Sequence, residues 1–147
     1  HAVLYRNDGN WQFTNVTAEE GLANQPPTYQ VAWADFDHDG DLDLVTADKL
    51  FVNQGNANSW LKVRLLSTNA NVNRSALGAQ VRIVLDDGRT VARQVDGGSG
   101  GGNQNDLTLH FGLGSQSEPV ELQIAWPDGT GKTVPAVAVD QTIVVDY

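Results

Sequence analysis

The sequence predicts an all-β protein: a single short-stranded repeat unit, blade-like in size, packed on an antiparallel β-sandwich or barrel. Three observations lead there. Apolar residues alternate with a period of two and hardly anywhere with the helical period. Turn residues recur about every 8–12 positions in the C-terminal part, the spacing of short antiparallel strands. The first third repeats a motif at a fixed offset.

That repeat sets the N-terminal unit. "VLYRNDGN" (Val3–Asn10) and "KLFVNQGN" (Lys49–Asn56) align at an offset of 46, with Leu4 matching Leu50, Tyr5 Phe51, Asn7 Asn53, Gly9 Gly55 and Asn10 Asn56. Periods in the forties are those of propeller blades. Between the two copies lie "WQFTNVT", a Pro26–Pro27 loop and "YQVAWADFDHDGDLDLVTA", enough for about one blade. One helical turn is expected at "TAEEGL", where Thr17 and Glu20 have capping-box spacing and Gly21 ends the turn. Residues 1–58 form this unit and 59–147 the next.

From Trp60 the strands lengthen. "WLKVRLL" places Leu61, Val63 and Leu65 on one face, and leaves Lys62 on the other, polar one. "QVRIVLDDGRTVARQV" is a hairpin turning at Asp87-Gly88, with Val81, Ile83 and Leu85 inward. "DLTLHFGLG" alternates Leu107, Leu109 and Phe111; "PVELQIAWPDGT" alternates Val120, Leu122, Ile124 and Trp126 and turns at Pro127-Asp128-Gly129. "KTVPAVAV" and "QTIVVDY" complete six or seven strands. Two long polar connections, Ser67–Ala79 and Gly97–Asp106, interrupt them. Loops of that length in a compact sandwich are mobile or functional.

Composition bounds the function. The formal charge is -9 and the six Arg and three Lys are scattered singly, which argues against nucleic acid. There is no cysteine, hence no disulfide and no thiolate metal site. No apolar run approaches the ~20 residues of a membrane helix. The chain starts at His1 and holds no methionine, which reads as a piece of something longer.

The chemistry concentrates in "ADFDHDGDLDLV" (Ala34–Val45). Counting from Asp35 as position one, side-chain carboxylates fall at one, three, five and nine, namely Asp35, Asp37, Asp39 and Asp43. Gly40 sits at six, where the chain must turn, and Asp41 at seven, where a backbone carbonyl points inward. Two carboxylates ~4 Å apart repel by about 4 kcal/mol at an effective dielectric of ~20. Gathering several in one turn calls for a cation, and hard oxygens on a tight turn suit Ca²⁺ better than Mg²⁺, which resists dehydration. An EF-hand is excluded, because position twelve is Thr46 and strands flank the loop.

With the repeat, these residues resemble the FG-GAP/VCBS calcium-binding repeat, over Val3 to about Asn56. "NSWLKVRLLSTNANVNRSALGAQVRI", "LTLHFGLGS" and "ELQIAWPDG" are similar to the ASPIC/UnbV domain that closes members of the cartilage acidic protein family. The resemblance implies an extracellular or cell-surface, calcium-stabilised module of adhesion or matrix type without enzymatic activity, meeting a protein or glycan partner. One departure is "GGSGGGNQND", glycine where the family carries an aromatic.

Other candidates rank lower. His38 and His110 read as solvated, and neither has triad partners at a recognisable spacing. Glu19 and Glu20 diverge on their turn, and the glycine tract lacks the Lys-Ser/Thr of a phosphate loop. Trp11 and Trp60, at segment starts, allow a lectin-like alternative, while Trp33 and Trp126 continue inward alternations. A self-made Lys–Asn/Asp isopeptide crosslink is a further alternative, with Lys49, Lys62 and Lys132 as its only possible amines.

Overall fold

The structure, a computed structural model, describes residues 3–28, 30–98 and 102–147. Its regular elements are all strands: β1 (Tyr5–Gly9), β2 (Gln12–Asn15), β3 (Val31–Ala34), β4 (Asp43–Thr46), β5 (Leu50–Phe51), β6 (Ser59–Leu66), β7 (Gln80–Val84), β8 (Thr90–Gln94), β9 (Leu109–Gly114), β10 (Val120–Ala125), β11 (Gly131–Val137) and β12 (Gln141–Asp146). The expected helical turn is present as a turn only: Glu20 N–H donates to the Val16 carbonyl and Leu22 N–H to that of Thr17. Thr17 spends its hydroxyl oxygen accepting the Leu4 amide, 2.9 Å away, so it does not cap.

Residues from Ser59 onward form two facing sheets, ordered β11-β10-β7-β8 and β12-β6-β9. The inward alternations read from sequence are buried: Leu61, Val63, Val81, Ile83, Phe111 and Leu122 are fully inaccessible. Neither sheet closes, so the architecture is a sandwich and not a barrel. It is also not wholly antiparallel, because β12 pairs β6 in parallel from Gln141↔Leu61 to Asp146↔Leu66. The last strand crosses from β11 to the edge of the opposite sheet, where Ile143 and Val145 pack on the shared core.

The N-terminal residues form a hairpin, β1-β2, and a three-stranded sheet, β3-β4-β5. The repeat is visible in local structure: Asn7 Oδ1 accepts the Gly9 amide at 2.9 Å, and Asn53 Oδ1 accepts the Gly55 amide at 3.1 Å. The same short polar side chain makes the same turn in both copies.

Burial separates the two parts sharply. Among the described residues before Ser59, Val16 is the one buried hydrophobic side chain, while Asp35 and Asp43 are buried carboxylates. A unit with so little apolar core gains little from the hydrophobic effect and must draw stability from elsewhere. Part of it comes from the second long loop. Asn105 Oδ1 accepts the Trp33 amide at 3.0 Å, the Asp106 amide donates to the Trp33 carbonyl, and Asn103 Nδ2 donates to the Val31 carbonyl. The described end of the Gly97–Asp106 loop therefore covers the free edge of β3, which would otherwise expose unpaired backbone groups. Residues 99–101 of its glycine tract lie outside the described residues.

Candidate metal centre

The loop joining β3 to β4 is built from carboxylate-to-amide turns. Asp37 Oδ1 accepts the Asp39 amide at 3.3 Å and Asp39 Oδ1 accepts the Asp41 amide at 2.9 Å. Each bond holds a carboxylate close to its own backbone and sets the next one two residues on. As a result Asp35, Asp37 and Asp39 each bring an oxygen within 4.8 Å of the others. One cation with bonds of about 2.4 Å spans that separation.

Asp43 and Asp41 stand elsewhere. The Asp43 carboxylate accepts the Phe36 amide at 2.7 Å on one oxygen and the Asn53 amide at 2.8 Å on the other. It thus ties the start of the loop to the second repeat motif, and only its remaining lone pairs are open. The Asp41 carboxylate lies against the Gly55 backbone, where an added Cβ would stand 2.4 Å from its Oδ2.

Asp35 decides whether the cluster fits a cation. It is 7% exposed. Its Oδ2 accepts the Gly40 amide at 3.0 Å and the Lys62 Nζ at 2.6 Å. Its Oδ1 is buried without a hydrogen-bond partner. An unpaired carboxylate oxygen away from water costs about 1–3 kcal/mol or more, and a hard cation is the partner that the neighbouring Asp37 and Asp39 would share. The residues present therefore fit Ca²⁺. Burial alone raises the Asp35 carboxyl, but the Lys62 ammonium, helped by the Gly40 amide, outweighs it and keeps the group below the usual carboxylate range.

The sandwich supplies the floor of the site, which sequence reading misses. Lys62, expected on a solvated face, is 7% exposed, because the loop itself covers that face of β6. Its Nζ also lies 5.7 Å from the centroid of the Trp60 ring. Trp60 is half-buried against Gly40, and its backbone is gripped by Asp140, whose Oδ1 accepts the Trp60 amide at 2.9 Å and whose amide donates to the Trp60 carbonyl at 2.7 Å. His110, also expected in solvent, is half-buried and donates from Nε2 to the Gly40 carbonyl at 2.5 Å. His38 is exposed as expected, at φ 65°. Trp126 is buried against Tyr147, ring centroids 5.1 Å apart, and Trp11 is 93% exposed on the β1-β2 turn.

The family model described as "ASPIC and UnbV" matches residues 69–147, more than half of the chain. The chain belongs to the ASPIC and UnbV family. A second model, "FG-GAP-like repeat", matches residues 1–46 and so includes the whole Asp35–Asp43 loop. Lys62, Trp60 and Gly55 lie in the stretch that neither model covers. Among curated relatives, this ASPIC and UnbV chain is 36% identical over 104 residues to cartilage acidic protein 1 of Mus musculus, covering 65% of the chain and 16% of the relative. Against the protein of that name from Xenopus tropicalis the identity is 36% over 107 residues, covering 67% and 16%. The chain thus spans about a sixth of the length of these relatives.

Proposed function

We propose that this chain is an extracellular, calcium-stabilised interaction module of matrix or adhesion type, without catalytic activity, made of a repeat unit (1–58) and a sandwich unit (59–147). In this reading Asp35, Asp37, Asp39 and Asp43 offer side-chain oxygens to Ca²⁺, Asp41 offers its backbone carbonyl, and Gly40 makes the turn. The observation that carries it is the buried, unpartnered Oδ1 of Asp35 beside two further carboxylates. The FG-GAP-like match and the relatives named cartilage acidic protein 1 support the matrix-type setting. Calcium in such a place holds a fold together: the repeat unit buries one valine and two aspartates and needs an internal crosslink.

Melting the chain in calcium and in chelator tests this. With a dissociation constant near ~0.1 mM and calcium at ~2 mM, binding adds about 1.8 kcal/mol, worth roughly 5 °C in a chain of this size. Hydrogen exchange should place the loss in residues 3–58. An unchanged melt in chelator refutes the metal assignment.

A glycan-binding reading rests on Trp11, whose indole is 93% exposed on a turn. Trp60 no longer supports it, being held against Gly40. Loss of glycan-array signal on Trp11→Ala, with the melt unchanged, would favour it.

The isopeptide alternative narrows to one pair. Lys49 donates to Gln25 at 2.6 Å and Lys132 to the Asp146 carbonyl at 2.5 Å, so Lys62 beside Asp35 is the amine placed for condensation with a carboxyl. As an ion pair the ammonium has no lone pair with which to attack, and the intact mass is expected to equal that of the sequence. A deficit of one water would show the crosslink.

A further inference from the structure

We propose that Lys62 is a tethered cation of the calcium site: it holds Asp35 when the ion is absent, opposes the ion electrostatically when it arrives, and so sets the affinity at which the loop responds. The inference rests on the calcium reading above and adds a residue from outside the repeat. It is carried by how Asp35 divides its two oxygens. Oδ2 is taken by the Lys62 ammonium at 2.6 Å and the Gly40 amide at 3.0 Å, while Oδ1 is buried without a hydrogen-bond partner in a residue that clusters with Asp37 and Asp39. The lysine and the metal would share one carboxylate without competing for one oxygen.

The charge balance explains why such a residue is useful. Without a cation, the carboxylates of one short turn repel one another, and the buried one is only weakly screened by solvent. An ammonium fixed by the sandwich partly neutralises them, so the loop can fold before calcium binds. The same fixed charge stands within hydrogen-bond reach of a ligand carboxylate, and lowers the affinity for a doubly charged ion by an order of magnitude or more. Lys62 is held there by three features: β6 fixes its backbone, the Trp60 ring lies beside its Nζ, and only 9% of its side chain is accessible. Because Lys62 sits on a strand of the sandwich core, flanked by the fully buried Leu61 and Val63, occupancy of the loop is felt across the junction between the two units.

Calorimetric calcium titration of the full chain as wild type, K62M and K62R tests the proposal, with a melt of each in chelator. K62M keeps the length and removes the charge. It is expected to bind calcium at least tenfold more tightly and to melt lower in chelator, while K62R stays within about threefold of wild type. K62M binding no more tightly than wild type, while melting cooperatively, overturns the inference and leaves the calcium reading standing. Absence of saturable calcium uptake by the wild type overturns both. The wild-type chain gives a second reading that needs no variant: calcium should loosen the Lys62–Asp35 pair, so acylation of Lys62 followed by mass spectrometry should speed up relative to Lys49 and Lys132. An unchanged or slower Lys62 reaction in calcium overturns the inference even if K62M does not fold.

Discussion

Asp35→Ala is expected to destabilise the chain by about 3–5 kcal/mol in chelator, before any metal contribution is counted. Three losses coincide at this residue. The Lys62 ammonium, 9% accessible along its side chain, is left without its counter-charge. The Gly40 amide loses its acceptor in a buried place. The turn that aligns Asp37 and Asp39 loses its anchor at the end of β3. Removing one partner of a buried pair costs far more than the pair is worth, because the remaining charge keeps its desolvation penalty. The double variant Asp35→Ala with Lys62→Met is therefore expected to recover a large part of the loss. Denaturant titration of the four chains in chelator measures this, and a single-variant loss under about 1 kcal/mol would mean that water reaches the pair. On the calcium reading proposed above, the single variant is expected to lose the binding increment in calcium as well.

Gly40→Ala is expected to cost about 3 kcal/mol, by two separable mechanisms. Gly40 has φ 98°, a backbone conformation that costs an L-residue roughly 1–2 kcal/mol. An added Cβ there would also stand 2.1 Å from the Trp60 Nε1 and 2.2 Å from its Cε2, so the indole must leave its seat. Overpacking of that kind costs typically about 1–3 kcal/mol. The steric share should vanish in a Trp60→Ala background and the backbone share should persist. Trp60 is half-buried, so its displacement should also red-shift the tryptophan emission. Equal costs of Gly40→Ala in both backgrounds would show that the indole does not rest on the glycine in solution.

Much of the sandwich was legible because its signals are local. Period-two alternation in residues 59–66, 80–85, 109–113 and 120–126 names which side chains turn inward, and each prediction rests only on neighbours along one strand. The turns at Asp87-Gly88 and Pro127-Asp128-Gly129 are likewise set by their own residues: the Gly88 amide donates to the Leu85 carbonyl and the Gly129 amide to that of Trp126. The parallel pairing of β12 with β6 was not legible, since strand order depends on which faces the whole chain must cover. Lys62 and His110 depart from the solvated faces that alternation predicts for the same reason. Alternation says that a side chain leaves the core face of its own sheet, and it cannot say that another unit waits on the far side. In this fold the far side of β6 and β9 is the aspartate loop, so both residues are polar groups in a junction.

The aspartate loop shows the division most clearly. Sequence alone determines that five carboxylates crowd one turn between two strands and that Gly40 must bend it, because charge and spacing along a short segment leave few alternatives. Only the tertiary structure decides how the carboxylates divide their work. Asp35, Asp37 and Asp39 converge, Asp43 ties the loop to Asn53, and a lysine 27 positions from Asp35 takes one of its oxygens and leaves the other open. The physical reason is range: a turn is set by bonds between neighbours, whereas a buried charge is settled by whatever the rest of the chain packs against it.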